Sequence, residues 1–130
     1  MEIRQALKTY LLAQSGLKAL IGQRLYYSGE TPQTVQTPYV VMEKVSSLPT
    51  HSHDGNSHLD NTRIQFSIFA DTIYETVLIA AQIKVIDGFK GTMGTAPGVN
   101  VGSCFYDNEI DLFDNGLHHL AVDYIIRHDS

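Results

Sequence analysis

The sequence predicts an α+β domain: a mostly antiparallel four-stranded sheet with two main helices packed on one face and two long loops. Three observations carry this prediction. Ile64, Phe66, Ile68 and Ala70 recur with a period of two, with Arg63, Gln65 and Ser67 between them, as on a strand with one buried face. That strand, residues 63–70, runs directly into a helix signalled by Thr72 and Glu75, an S/T-x-x-E capping box with Asp71 adding negative charge at the helix start. Asp114-Asn115-Gly116 then marks a hairpin, because Asn-Gly tolerates the positive φ angles of a two-residue turn.

In chain order, Ile3, Ala6, Leu7, Tyr10 and Leu11 repeat at helical spacing, with Glu2, Arg4, Gln5 and Lys8 on the polar side. Ser15-Gly16 interrupts this first helix. Leu17, Leu20 and Ile21 add a short helical turn that Gly22 ends. Arg24-Leu25-Tyr26-Tyr27 is short and β-prone, and residues 28–38, with two prolines, read as an extended connection. Residues 39–45 form a strand. Residues 46–61 are the longest polar stretch and read as an exposed hairpin loop. After the strand at 63–70, the helix presents Val77, Leu78, Ala80, Ala81, Ile83, Val85 and Ile86 as a broad apolar face, and Gly88 stops it. Residues 89–102 hold Gly91, Gly94, Pro97, Gly98 and Gly102, too many breakers for a regular element, and form the second loop. Residues 103–112 and 117–127 are the last two strands. In the latter Leu120, Val122, Tyr124 and Ile126 share one face.

The 130 residues fit one domain, 1–130. Nine Lys and Arg against fourteen Asp and Glu give a net charge of −5, and no basic run is present to neutralise phosphates, which argues against nucleic-acid binding. The single cysteine, Cys104, excludes an internal disulfide framework and reads as a small buried hydrophobe in a reducing compartment. No run is long enough to span a bilayer and Met1-Glu2-Ile3-Arg4 opens no signal peptide, so a soluble, cytoplasmic protein is expected.

Two groups of residues could carry chemistry. His51, His53, Asp54 and His58 are the most metal-like cluster, since imidazoles two apart on an extended segment project the same way and zinc takes His and carboxylate ligands. The H-x-H-x-D-H run of metallo-β-lactamases is matched at two histidines, but Asp54 stands one position early. A solvated loop is the preferred reading. Asp107, Glu109 and Asp111 alternate, which on a regular strand puts three carboxylates on one face, able to hold Mg²⁺ or to do acid/base work. No lysine or histidine completes that set on the same strand, so a solvated acidic face is preferred. Gly88, Gly91 and Gly94 do not form a phosphate loop, because Lys90 precedes Gly91 and no G-x-x-x-x-G-K-[ST] occurs. G-x-S-x-G is absent. No catalytic, cofactor or metal residue is assigned.

Several local patterns, taken in their order, resemble the tail completion (tail terminator, head-to-tail joining) proteins of long-tailed phages and prophages. They are the N-terminal amphipathic helix, Gly22-Gln23-Arg24-Leu25-Tyr26, Pro32-Gln33, Thr37-Pro38-Tyr39-Val40-Val41, the strand 63–70 with its helix, and Leu112-Phe113-Asp114-Asn115-Gly116-Leu117 leading to Tyr124. The resemblance implies a non-enzymatic virion protein, assembled in the bacterial cytoplasm, that forms a ring, typically a hexamer. The ring would cap the head-proximal end of the tail tube, as in siphoviruses, and meet the head connector, with DNA only passing through its channel. The acidic strand could line that channel. The two loops are expected to order only as free subunits assemble. Other readings are a small metal-dependent enzyme using His51, His53 and His58, and another neck or minor tail subunit of the same fold.

Overall fold

The computed structural model describes residues 2–52 and 55–129, with side chains other than those of residues 49–58 and 114. The elements are α1 (Ile3–Leu12), α2 (Ser15–Ile21), β1 (Leu25–Tyr27), β2 (Tyr39–Ser52), β3 (Gly55–Ala70), α3 (Ile73–Ile83) with a 3-10 turn at Lys84–Ile86, β4 (Gly91–Met93), β5 (Val99–Asp114) and β6 (Leu117–Asp129). The six strands form one mixed sheet in the order β1-β2-β3-β6-β5-β4, curled into a half-barrel. β1 is parallel to β2 and the other neighbours are antiparallel.

The four-stranded, mostly antiparallel sheet with two main helices is therefore corrected to a six-stranded mixed sheet with three helices. The two extra strands have three residues each, too few for a periodic signal. β1 forms because the free edge of β2 takes it: Val40 N–H donates to the Arg24 carbonyl at 2.9 Å and Ser28 N–H to the Met42 carbonyl at 2.9 Å. β4 forms because the glycines that looked like breakers frame a tight turn back to β5. Gly98 has φ +69°, and a Cβ there would stand 2.7 Å from the Met93 carbonyl oxygen, so only glycine fits.

Residues 46–52 and 55–61 are likewise strand, the outer halves of β2 and β3, paired from Ser46↔Arg63 to Ser52↔Gly55 across a bulge between Thr50 and His51. Polarity suggested a loop, but a strand pair satisfies its backbone on its own partner whatever the side chains are. Together with β4 and the start of β5 this corrects the reading of 46–61 and 89–102 as two long loops without regular structure: residues 46–52, 55–61, 91–93 and 99–102 lie in the sheet.

The helices form where the sequence places them. The Glu2 carboxylate accepts from Arg4 N–H at 3.2 Å while Gln5 Oε1 accepts from Glu2 N–H at 2.9 Å, a reciprocal cap, and Ile3, Ala6, Leu7 and Leu11 are buried. The Thr72 hydroxyl accepts from Glu75 N–H at 3.2 Å and opens α3, although Glu75 does not reach back to the Thr72 backbone and meets its hydroxyl instead. Gly88, at φ +82°, follows the 3-10 turn. The Asp114-Asn115-Gly116 signal holds: Asn115 and Gly116 have φ of 53° and 78°, and Asp114 pairs with Leu117.

All three helices pack on one face of the sheet in a single core with Val40, Met42, Ile64, Phe66, Ile68 and Tyr124. At its centre Phe66 pairs with both Met42 and Val122, and its ring meets Tyr124 edge-on at 5.8 Å. Phe66→Ala is expected to cost about 3–5 kcal/mol of unfolding free energy, the range for emptying a buried phenyl site. Gly116→Val, at a left-handed position, should cost about 1–2 kcal/mol. Chemical denaturation of the two variants against the wild type checks both.

Candidate functional site

Registry determines which side chains the helices leave uncovered. Residues paired across the sheet share a face, so the face opposite the helices carries Tyr39, Phe69, His119 and Leu112 in one row, and Val41, Ser67, Ala121 and Ile110 in the next. The first row is an aromatic ladder. Tyr26 and Tyr39 lie 6.3 Å apart between centroids, Tyr39 and Phe69 stack at 4.9 Å, and Phe69 and His119 stack at 4.3 Å. Rings in adjacent strands meet because directly opposed Cβ atoms stand about 5 Å apart. Ile110 and Leu112 at the β5 end are each 49% exposed.

Farther along the same face, Arg63 Nη1 donates to Asp107 Oδ2 at 2.7 Å and to Asp123 Oδ2 at 3.0 Å. A bulge between Tyr106 and Asn108 makes this possible. Asp107 is the extra residue, turned to the Arg63 side, while Glu109 and Asp111 pair with Val122 and Leu120 on the helix side. The expectation that Asp107, Glu109 and Asp111 share one face is thus corrected: the alternation is broken at its first member. Glu109 instead accepts a short hydrogen bond from the Tyr106 hydroxyl, which helps push the Tyr106 pKa up to about 12.

On the helix side, α3 is apolar on two sides. Thr76, Ile79 and Ile83 are buried, but Ile73, Tyr74, Val77, Leu78 and Val85 are 42–73% exposed. The expected core set was half right, because Val77, Leu78, Ala81 and Val85 face outward and Ile79 carries the contact to the sheet. Between α3 and the sheet opens a recess of about 190 Å³ lined by Val77, Ala80, Ala81, Leu120 and Tyr124 among others. The Tyr124 hydroxyl in its floor has no hydrogen-bond partner among the described residues.

Cys104 is buried, as expected, and burial first, then the charge of Asp87, pushes its thiol up to about 12, so it is no nucleophile. His53 and Asp54 lie outside the described residues, as do the side chains of His51 and His58, whose backbones fall in β2 and β3. Among the described residues no group of three or more His, Cys, Asp or Glu could hold a metal ion. No described helix is long and apolar enough to cross a membrane.

The family described as tail completion protein gp17 matches residues 5–129. The chain belongs to the tail completion protein family. It is accordingly a structural protein of the phage tail. Among solved structures, a chain from the virion of a native gene transfer agent particle aligns with a TM-score of 0.75 at 13% identity, over 98% of each chain. A second solved chain, of no stated function, aligns with a TM-score of 0.63 at 13% identity, over 98% of this chain and 96% of that one. At such identity these two similarities concern the fold. No curated protein matches the chain.

For a tail completion protein the informative features are surfaces; the sequence placed both main helices on one face and left the other open, but did not show which residues gather there. The Arg63, Asp107 and Asp123 cluster joins three strands, and the ladder joins four; neither has a local sequence signal. Alternation along 117–127 does place His119 and Asp123 opposite the core face, and the two-sided hydrophobicity of 73–85 was visible as an apolar excess larger than one buried stripe requires.

His119 gives the uncovered face a pH signature. Its Nε2 is buried without a partner among the described residues, and desolvation holds its pKa below the ordinary 6.5. The folded state therefore resists a protonation that the unfolded chain accepts, so this contribution to stability is present above about 6.5 and is lost as pH falls below it toward the folded pKa. His119→Phe keeps a ring against Phe69 and removes the titration. Its stability is expected to fall less than that of the wild type over this acid window, measured as the difference between denaturation midpoints.

Proposed function

We propose that the protein forms a ring, six-membered as is typical of terminators, on the head-proximal end of a long tail tube. There it ends tube growth and presents a surface to the head connector, in a phage of the siphovirus type or a prophage. The observation that carries this reading is the family match over residues 5–129. The gene transfer agent chain, a virion component aligned over nearly its whole length, supports a place in a particle. DNA would cross the ring without binding it, consistent with a net charge of −5. The subunits would assemble in the bacterial cytoplasm and end in the tail–neck region of the virion. The reading is non-enzymatic: a tail completion role calls for contact surfaces, and Cys104 and Tyr124, the deeply buried titratable groups of the sheet centre, are held in their neutral forms by burial.

The test is genetic and structural. Particles made without this protein should carry tails of uncontrolled length that fail to join heads, and purified protein added to tubes should appear by electron microscopy as a ring at one end. Normal tails in its absence would overturn the reading. Replacing His51, His53 and His58 together with Ala should leave tail length and infectivity within about twofold of wild type, as expected for a polar run whose metal-ligand pattern is incomplete. Stoichiometric zinc surviving dialysis, with loss of a hydrolytic activity in that variant, would instead favour an enzyme.

A further inference from the structure

Among the described residues, two apolar surfaces stand uncovered on opposite sides of the sheet. One is the outer stripe of α3, where Ile73, Tyr74, Val77, Leu78 and Val85 follow one another at helical spacing and are 52%, 73%, 54%, 42% and 45% exposed. The other is the bare face of the sheet, where Leu112 continues the Phe69–His119 row, Ile110 lies in the next row beside Ala121, and Phe105, 47% exposed, pairs with Ile125 in the row of Arg63.

We propose that these two surfaces are the two halves of one contact between neighbouring copies of this chain: the α3 stripe of one subunit lies on the bare sheet face, along His119, Leu112 and Ile110, of the next. This deepens the ring reading above and rests on it.

Three arguments single out a second copy as the occupant. The first is area. An aromatic side chain offers roughly 150–250 Å², so the half-exposed residues on α3 amount to on the order of 500 Å² of apolar surface. The sheet face supplies a comparable amount, and with polar rims each approaches the roughly 800 Å² per partner of a standard interface. A typical monomer leaves one patch of about 300–600 Å², whereas this one leaves two.

The second is symmetry. Patches on opposite sides of a layer cannot both be covered by one two-fold contact, but a head-to-tail contact covers both at once, and repeating it around an axis closes a ring with neither left in water. Two unrelated partners would have to be invoked to do the same.

The third is shape. The stripe is not flat: Val77 and Ala81 edge the recess of about 190 Å³ whose floor is Tyr124. A cavity of about 150 Å³ accepts a benzene ring, so a projecting ring or branched aliphatic side chain of the neighbour fits there. The bare sheet face offers Phe105, Ile110 and Leu112 for that role. The ladder beneath them is preorganised by its own stacking, so docking costs little side-chain entropy on that side.

The experiment uses two variants of the full chain, Val77→Asp on the stripe and Leu112→Asp on the sheet face. Both positions are about half exposed, so folding should persist, and thermal unfolding checks it. Ile110→Lys and Tyr74→Lys provide a second pair should either Asp variant misfold. Sedimentation of the wild type, free or with tail tubes, is expected to show rings. Each variant alone should associate at least roughly tenfold more weakly and run as a monomer, because an unpaired charge would be desolvated at the contact. An equimolar mixture of the two should form a discrete dimer through the one intact interface, and no ring.

Rings formed by either variant alone overturn the inference while leaving the ring reading intact. A mixture that stays monomeric also overturns it, by showing that the two surfaces do not pair with each other. A variant that still forms rings but no longer caps tubes would assign that surface to the tube protein, again overturning the inference. A wild type that forms no ring, free or on tubes, fails the ring reading itself.

Discussion

The structure depends on the register of β3 against β6. Because Ile64, Phe66 and Ile68 pair with Tyr124, Val122 and Leu120, these buried side chains fall on the helix side, and Arg63, Gln65, Ser67, Phe69, His119, Ala121, Asp123 and Ile125 between them fall on the other. A slip of one residue would exchange these faces and place Phe66 in water. The Asn115-Gly116 turn enforces a similar register between β6 and β5, since a two-residue turn leaves no slack. Among the described residues the register shifts between Lys44 and Ser46, Thr50 and His51, Val101 and Ser103, and Tyr106 and Asn108. The bulge between Tyr106 and Asn108 turns Asp107 toward Arg63 without disturbing Cys104 or Tyr106 on the core side.

That register explains which parts of the fold were legible. Strands with one buried face announce themselves by alternation, and helices by their caps, so 63–70, 117–127, α1 and α3 could be read directly from the chain. β1 was legible only as the short β-prone run 24–27 and β4 not at all, because three residues hold no period and each strand pairs on an edge that a neighbour presents. The outer halves of β2 and β3 were invisible for a different reason. Residues 46–52 and 55–61 are mostly polar, so no alternation of apolar side chains marks them in the sequence, while their backbones pair from Ser46↔Arg63 to Ser52↔Gly55. Glycine misled for a third reason. In 89–102 it permits tight turns between short strands, which composition cannot distinguish from the absence of strands.

The surfaces were less legible still. The partners of Arg63 stand 44 and 60 residues away, and the bulge that delivers Asp107 breaks the period on which any reading of that strand relied. These ion pairs, partly open to solvent, are screened and contribute little to stability. Their effect is mainly geometric, tying β3, β5 and β6 together on the side that no helix braces. The aromatic ladder does the same along the next rows, and both leave that face rigid.

A rigid, uncovered, partly apolar face has a physical consequence for a domain of this size. The helix-side core is completed by Ile79, Ile83 and Ile86 of α3 and its 3-10 turn, so nothing inside the subunit requires Ile73, Tyr74, Val77, Leu78 or Val85 to be apolar. In an isolated monomer those residues only expose hydrocarbon to water, with no compensating contact. The same holds for Ile110 and Leu112 on the other side, where serine or threonine would satisfy a strand equally well. Apolar residues that the fold does not need, on two opposite surfaces of a chain in a tail completion family, are therefore understood as contacts the subunit makes in its particle. The sheet between them fixes their relative orientation and, in the ring proposed above, would set the angle from each subunit to the next.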